Sequence, residues 1–181
     1  GGITVSSDAR LSVLKLLFPT EKGDTVQFAV DLIRDFPENA CRNCIPATVF
    51  LFHSQFIYGV AGTETQCFPF LDTRDEFHQD EYAAWFGTMG LRIVVTEEIM
   101  QSGCGDKDTR YLGYISANSG QVKLYEVLDA CPNRERMAKL RTKEKFEQAL
   151  QLFYQYDFYL ARSTFSELLR ELPDDRIAKW Y

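Results

Sequence analysis

The 181-residue chain has two histidines, three methionines and two tryptophans. It contains no apolar run near the ~18–20 residues a membrane-spanning helix requires, which excludes a membrane segment in this chain. The opening GGITVSSDARLSVLKLLFP has neither a basic leader nor a cleavage-like end, so no secretory signal is expected there. Cysteine is sparse and odd in number: Cys41, Cys44, Cys67, Cys104 and Cys131. An odd count without a secretion signal points to reduced thiols in a cytoplasmic protein, or in the cytosolic part of a membrane-anchored one. Cys41-x-x-Cys44 has only Cys67, His53 and His78 near it, without the spacing of a four-ligand zinc site. These cysteines read more simply as loop and buried thiols. His53 reads as a structural strand residue and His78 as exposed, and no nucleophile–base pair stands out.

Positive charge is also scarce in most of the chain. The net charge is −6. Residues 132–181 hold 10 basic and 8 acidic side chains, whereas residues 1–131 hold 10 and 18. An acidic body argues against nucleic acid as a partner, because such binding relies on neutralising phosphates.

What is present is the composition of a soluble globular protein. Hydrophobic residues make up 45% and charged residues 25%, with 14 phenylalanines. ITV and LSVLKLLF read as strands of a hairpin ended by Pro19. Beginning on Gly1-Gly2 and a strand suggests a piece cut from a longer protein. Asp24 caps a helix with Val26, Ala29, Val30 and Ile33 on one face. Ala47–His53 and Gln55–Ala61 are β-rich. Residues 62–69 are expected to form a loop. A helix is expected over 72–87, with Phe77, Glu81, Ala84 and Trp85 at helical spacing, stopped by Gly90. LRIVV is a buried strand, EEIM a one-turn helix capped by Thr96, and two strands follow near 111–115 and 122–128. From Asn133 the pattern is helical only: a long amphipathic stretch bent near Thr142, a second helix after Asp157 ended by Pro173, and a third begun by Asp174-Asp175.

VVTEEIM, RYLGYIS and VKLYEVLDA, in that order, resemble the C-terminal third of class III adenylate/guanylate cyclase domains. LKLLFP is similar to that family's "AIMALFP", and FHSQFIYGVAG to its "GIHxGxxxxGxxG" hairpin. The resemblance covers about residues 1–131 and is strongest over 91–128. It implies an α+β fold, a ferredoxin-like antiparallel sheet with helices on one face, lacking the family's first strand and two helices. YQYDFYLARSTFSELLRELP resembles one tetratricopeptide unit, with Asp157-Phe158, Ala161, Phe165 and Pro173 at its second-helix spacing. The chain therefore divides into a partial cyclase-like domain, 1–131, and an all-α extension, 132–181. A single helical unit cannot bury both faces alone, so Phe158, Ala161, Phe165 and Pro173 mark a face for packing on the body or on a protein partner.

The resemblance also implies a chemistry that can be checked residue by residue. The family holds two divalent ions on two aspartates, orienting a triphosphate for attack by the ribose 3′-hydroxyl. Its "GDA" aspartate falls on Ser12 without a gap, or on Asp8 with a short insertion; otherwise Asp8 is an exposed hairpin residue. The positions of its ribose-binding asparagine and its arginine fall near Phe77 and Glu81, and Glu81 has the wrong charge for a site where negative charge develops. The hairpin turn Ser116–Gly120 is uncharged, and Lys123 lies beyond it. These departures point to a degenerate, non-catalytic homology domain acting in signalling as a dimerisation or scaffolding module. It would pair as a homodimer, or as a heterodimer with another cyclase-like domain. No cofactor is expected in this chain, and Mg²⁺ or Mn²⁺ only if an upstream segment completes an active cyclase. A third possibility is a domain that senses a nucleotide or small ligand.

Overall fold

The computed structural model describes residues 3–8, 11–16, 25–35, 48–52, 55–63, 66–74, 79–117 and 120–181. β1 (Ile3–Asp8) and β2 (Leu11–Leu16) form an antiparallel hairpin, with Ile3 opposite Leu16 and Asp8 opposite Leu11. α1 (Thr25–Asp35) buries Val26, Ala29, Val30 and Ile33, the stripe expected from their spacing. β3 (Val49–Leu51) is short. β4 (Gln55–Thr63) and β5 (Gln66–Arg74) form a second antiparallel hairpin. α2 (Gln79–Thr88), β6 (Ile93–Thr96), α3 (Glu97–Gly103), β7 (Thr109–Ala117) and β8 (Gly120–Val127) follow. After a 3-10 turn at Leu128–Ala130 come α4 (Asn133–Tyr154), α5 (Phe158–Glu171) and α6 (Arg176–Trp180).

Two expectations are corrected. The segment expected to be a loop over 62–69 supplies the end of β4 and the first four residues of β5, and the helix expected from residue 72 begins at Gln79. Pro69 lies within β5 opposite Val60. A proline lacks the N–H a central strand must donate, but a two-stranded ribbon has an open edge for it. The second correction concerns the sheet. Its order is β3-β6-β8-β7, and it is mixed: β3 runs parallel to β6, while β8 is antiparallel to both β6 and β7.

Helices cover both faces of this sheet rather than one. Ile93 and Val95 of β6 and Val127 of β8 pack with Val26, Val30 and Ile33 of α1 and with Ile99 and Met100 of α3. Val94 and Leu124 point the other way, into a core with Phe86 of α2, Phe146 and Leu150 of α4, Leu168 of α5 and Ile177 of α6. This alternation follows from the two-residue period of a strand. It also explains why IVV is continuously apolar: both sides of β6 are buried. Each fully buried leucine, isoleucine or phenylalanine contributes about 1.5–3 kcal/mol. The second core draws on α4, α5 and α6 as much as on the strands, so the helical extension supplies one wall of the sheet's hydrophobic environment.

Helix ends fix the chain's direction at two corners. Gly90 takes φ +73° after α2, and Leu91 N–H donates to Phe86 O at 3.0 Å. With Gly90 N–H donating to Gly87 O, this is a Schellman closure, and Leu91 and Phe86 share the core. α4 ends the same way: Asp157 N–H donates to Leu152 O and Tyr156 N–H to Phe153 O, both at 3.0 Å. Here Tyr156, with φ +66°, occupies the left-handed position usually given to glycine. α4 is one continuous 22-residue helix. At Thr142, where a bend is expected, the hydroxyl donates to Ala138 O and Lys139 O within the helix.

Candidate functional site

The described residues bring charge together most densely beneath β7 and β8. Arg110 of β7 and Glu126 of β8 are opposite one another in register and fully buried. Arg110 Nη2 and Nε donate to Glu126 Oε2 at 2.8 and 3.2 Å, and its Nη1 donates to Asp175, the N-cap of α6. The guanidinium also lies over the Phe146 ring, 4.3 Å from its centroid. Lys139 of α4 donates from Nζ to Glu126 Oε1 and pairs with Glu135, each at 2.6 Å.

Burial opposes charge on these groups, but their partners outweigh it. Glu126 is held below the ordinary carboxylate range by Lys139 and Arg110 despite complete desolvation. Lys139 and Arg110 are pushed above their usual values: desolvation, the largest single effect, works against both, and Glu126 outweighs it together with Cys131 and Glu135 for Lys139 and with Asp175 for Arg110. All stay ionised at neutral pH. Glu126, Glu135 and the Cys131 thiol offer three ligand atoms within 4.8 Å of one another, a spacing compatible with a metal. Lys139 Nζ already sits among them, 3.9 Å from Cys131 Sγ, so the positive charge is the protein's own ammonium. Burial raises the Cys131 thiol to about 12, which leaves it protonated and a poor nucleophile or ligand.

A second polar group closes the same junction. β7 has a register irregularity between Tyr111 and Gly113, where Gly113 takes φ +110°. Tyr181 Oη donates to Leu112 O at 2.9 Å, Tyr114 N–H donates to Tyr154 Oη at 3.3 Å, and the two hydroxyls are 3.1 Å apart. Backbone groups beside the bulge are thus satisfied by α4 and by Tyr181 just beyond α6.

Beside this junction, a cleft of about 310 Å³ lies between α2, the β7–β8 hairpin and α6. Tyr82, Trp85, Tyr114 and Trp180 form aromatic walls over Leu112 and Leu124. Trp85 and Trp180 meet edge to face at 5.2 Å. Among the described residues, Glu81 is the one charged residue lining it.

The residues singled out from sequence do not form one site. Asp8 ends β1 beside the hairpin turn. Ala161 and Phe165 point inward and are buried, Phe165 edge-to-face with Phe146 and stacked on Tyr181. Phe158 points outward, and Pro173 is exposed in the turn before α6. Glu81 is exposed on α2, and Lys123 pairs at 2.8 Å with Glu97 of α3. Cys41, Cys44, His53, Phe77 and His78 lie outside the described residues, as does the middle of the Ser116–Gly120 turn.

Sequence reasoning missed the Arg110–Glu126–Lys139–Asp175 cluster. Its signal was a charged residue inside YEVL, an otherwise buried strand, which must find a partner. No family model, curated protein or solved structure matches this chain.

Proposed function

We propose that the chain is a divergent class III nucleotide-cyclase homology domain that works without catalysis, as a regulatory dimerisation or scaffolding module engaged by a protein partner through its C-terminal helices. One observation carries this reading. The strongest charges of the C-terminal part turn inward to hold sheet and helices together, while large apolar side chains turn outward at the α4–α5 corner. Tyr156 and Tyr159 are 81% and 84% exposed, with Phe158 at 54% and Leu160 at 47%. Four such side chains within five residues form a surface that association would cover. The loss of cyclase chemistry is supported by Glu81, exposed at the position aligned with the family's cation, and by Lys123, engaged by Glu97.

The full-length protein, assayed with Mn²⁺ and ATP or GTP, should form no cyclic nucleotide. Turnover abolished by Asp8→Ala would overturn the non-catalytic reading and make Asp8 a metal ligand. Light scattering on the wild type and on Phe158→Ser/Tyr159→Ser/Leu160→Ser tests the surface. An oligomer that persists unchanged in the triple variant removes this face from self-association and leaves it to a heterologous partner.

The aromatic cleft favours a second reading, a small-ligand sensor. Calorimetry with nucleotides tests its nucleotide form, which fails if none binds at millimolar concentration.

A further inference from the structure

The cleft of about 310 Å³ between α2, the β7–β8 hairpin and α6 combines two properties that together select a ligand. Its walls are aromatic, from Tyr82 and Trp85 of α2, Tyr114 of β7 and Trp180 of α6, and the one charged group among its described lining residues is the Glu81 carboxylate. We infer that this cleft binds a small quaternary ammonium compound, with the cation held against the aromatic rings and beside Glu81. The inference rests on the small-ligand reading of the cleft and names the chemistry of that ligand.

The rings come from three separate elements and stand at angles to one another. Trp85 and Trp180 meet at 72° with their centroids 5.2 Å apart, so the two indoles make a corner rather than a stack. One face of Tyr114 is stacked on Tyr154 at 4.6 Å, and Tyr154 does not line the cleft, so the cleft meets the other side of the Tyr114 ring. Tyr82 Oη donates to Ser116 O at 3.4 Å, which ties α2 to β7 beside this space. Aromatic faces carry the negative part of the ring quadrupole and attract a cation brought within about 6 Å of the centroid. Leu112 and Leu124 add apolar surface, which suits methyl groups and not the tightly held water of a primary ammonium.

The charges around the cleft point the same way. Glu81 is exposed and has no ion-pair partner among the described residues. The cations of the neighbouring elements are engaged elsewhere. Arg110 of β7 is buried against Glu126 and Asp175, Lys123 of β8 pairs with Glu97 at 2.8 Å, and Arg176 of α6 donates to Thr88 O at 3.0 Å. Neither they nor Lys179 of α6 line the cleft. A phosphate or carboxylate ligand would therefore meet a like charge and the negative faces of the rings, whereas a cation meets attraction from both. The volume is at the lower end of the roughly 300–1,000 Å³ of ligand pockets, which favours a small compound.

Isothermal titration of the full chain with choline, ethanolamine and 3,3-dimethylbutanol provides the test. Ethanolamine carries a primary ammonium, and dimethylbutanol has the shape of choline without its charge. Choline should bind saturably and about fivefold or more tighter than either. Glu81→Gln should weaken choline by about threefold or more and dimethylbutanol by less than about twofold. Trp180→Leu should weaken choline by about fivefold or more. Glu98→Gln makes the same charge change at an exposed position on α3 outside the cleft and should alter choline affinity by less than about twofold. Circular dichroism identifies a Trp180→Leu protein that fails to fold; the isosteric Glu81→Gln, at an exposed position, then carries the test. Phosphocholine probes a lipid headgroup as the source: its phosphate adds repulsion, so tighter binding than choline would overturn the assignment to a free cation. Dimethylbutanol binding as tightly as choline would overturn the cationic ligand while leaving the small-ligand reading in place. Absence of saturable choline binding up to about 10 mM would overturn the proposal, and the nucleotide titration judges the small-ligand reading separately. Equal losses in Glu98→Gln and Glu81→Gln would also overturn it, because the attraction would then be diffuse.

Discussion

Tyr181 Oη donates to the Leu112 carbonyl at 2.9 Å, joining a residue beyond α6 to the bulge of β7 across 69 positions of sequence. The bond is possible because residue 113 has no side chain. A Cβ on Gly113 would stand 2.3 Å from Tyr154 Oη and 2.4 Å from Tyr181 Oη, and the backbone there has φ +110°.

Gly113→Ala should therefore be strongly destabilising, by about 2–4 kcal/mol, combining backbone strain with displacement of both hydroxyls. Tyr181→Phe should cost less, about 1–2 kcal/mol, because it leaves a carbonyl short of one donor without a clash. Urea denaturation of the two variants measures the difference. Equal costs would mean that the hydroxyl contacts, rather than the close approach, dominate.

The buried ion network sets a pH window. Glu126 is depressed in the folded protein, so its contribution is complete above the unfolded carboxylate value of about 4.3 and is lost as pH falls through the lower folded value. Lys139 is raised, so its contribution is complete below about 10.4 and is lost as pH rises through the higher folded value. Stability from this pair should be flat between roughly pH 5 and 10. Glu126→Gln strands two buried cations and should cost about 3–5 kcal/mol at pH 7 while flattening the acid limb. Chemical denaturation at several pH values checks both effects.

Asp175 has two tasks. Its Oδ1 accepts the Ala178 N–H at 3.3 Å as the cap of α6, and its Oδ2 pairs with Arg110. Asp175→Ala should free α6 from the sheet. Both of the chain's tryptophans report on that junction, Trp180 on α6 and Trp85 on α2. Their emission should shift to the red, while the exposed neighbour Asp174→Ala leaves it unchanged. An unshifted spectrum in Asp175→Ala would mean that apolar packing alone docks the helix.

At the α4–α5 corner, Tyr156 holds a left-handed backbone on an exposed side chain. Tyr156→Gly removes the Cβ conflict, forfeiting only an edge contact with Phe158 at 6.1 Å. It should raise stability by about 1 kcal/mol, read as a higher urea midpoint at unchanged slope.

Much of this architecture was legible in local pattern. The stripe Val26, Ala29, Val30, Ile33 marked α1, Gly90 marked the end of α2, and Asp157 and Asp175 marked the starts of α5 and α6. What could not be read depended on partners distant in sequence. Pro69 and the acidic run after it obscured β5, because an edge proline is acceptable only once the strand's single neighbour is known. The parallel pairing of β3 with β6 joins segments more than 40 residues apart and leaves no local mark. Nothing local marks Arg110 and Lys139 as buried; their partners Glu126 and Asp175 come from other segments.

The bonded bulge also has a mechanical meaning. Tyr154 closes α4 and holds the Tyr114 amide; two residues later the outward-facing cluster begins at Tyr156. A protein gripping that corner would hold a handle fastened to β7 by the Tyr154 hydroxyl and by the stacking of its ring on Tyr114. Displacement applied there would reach the hairpin through those contacts and the core that Tyr154 packs against.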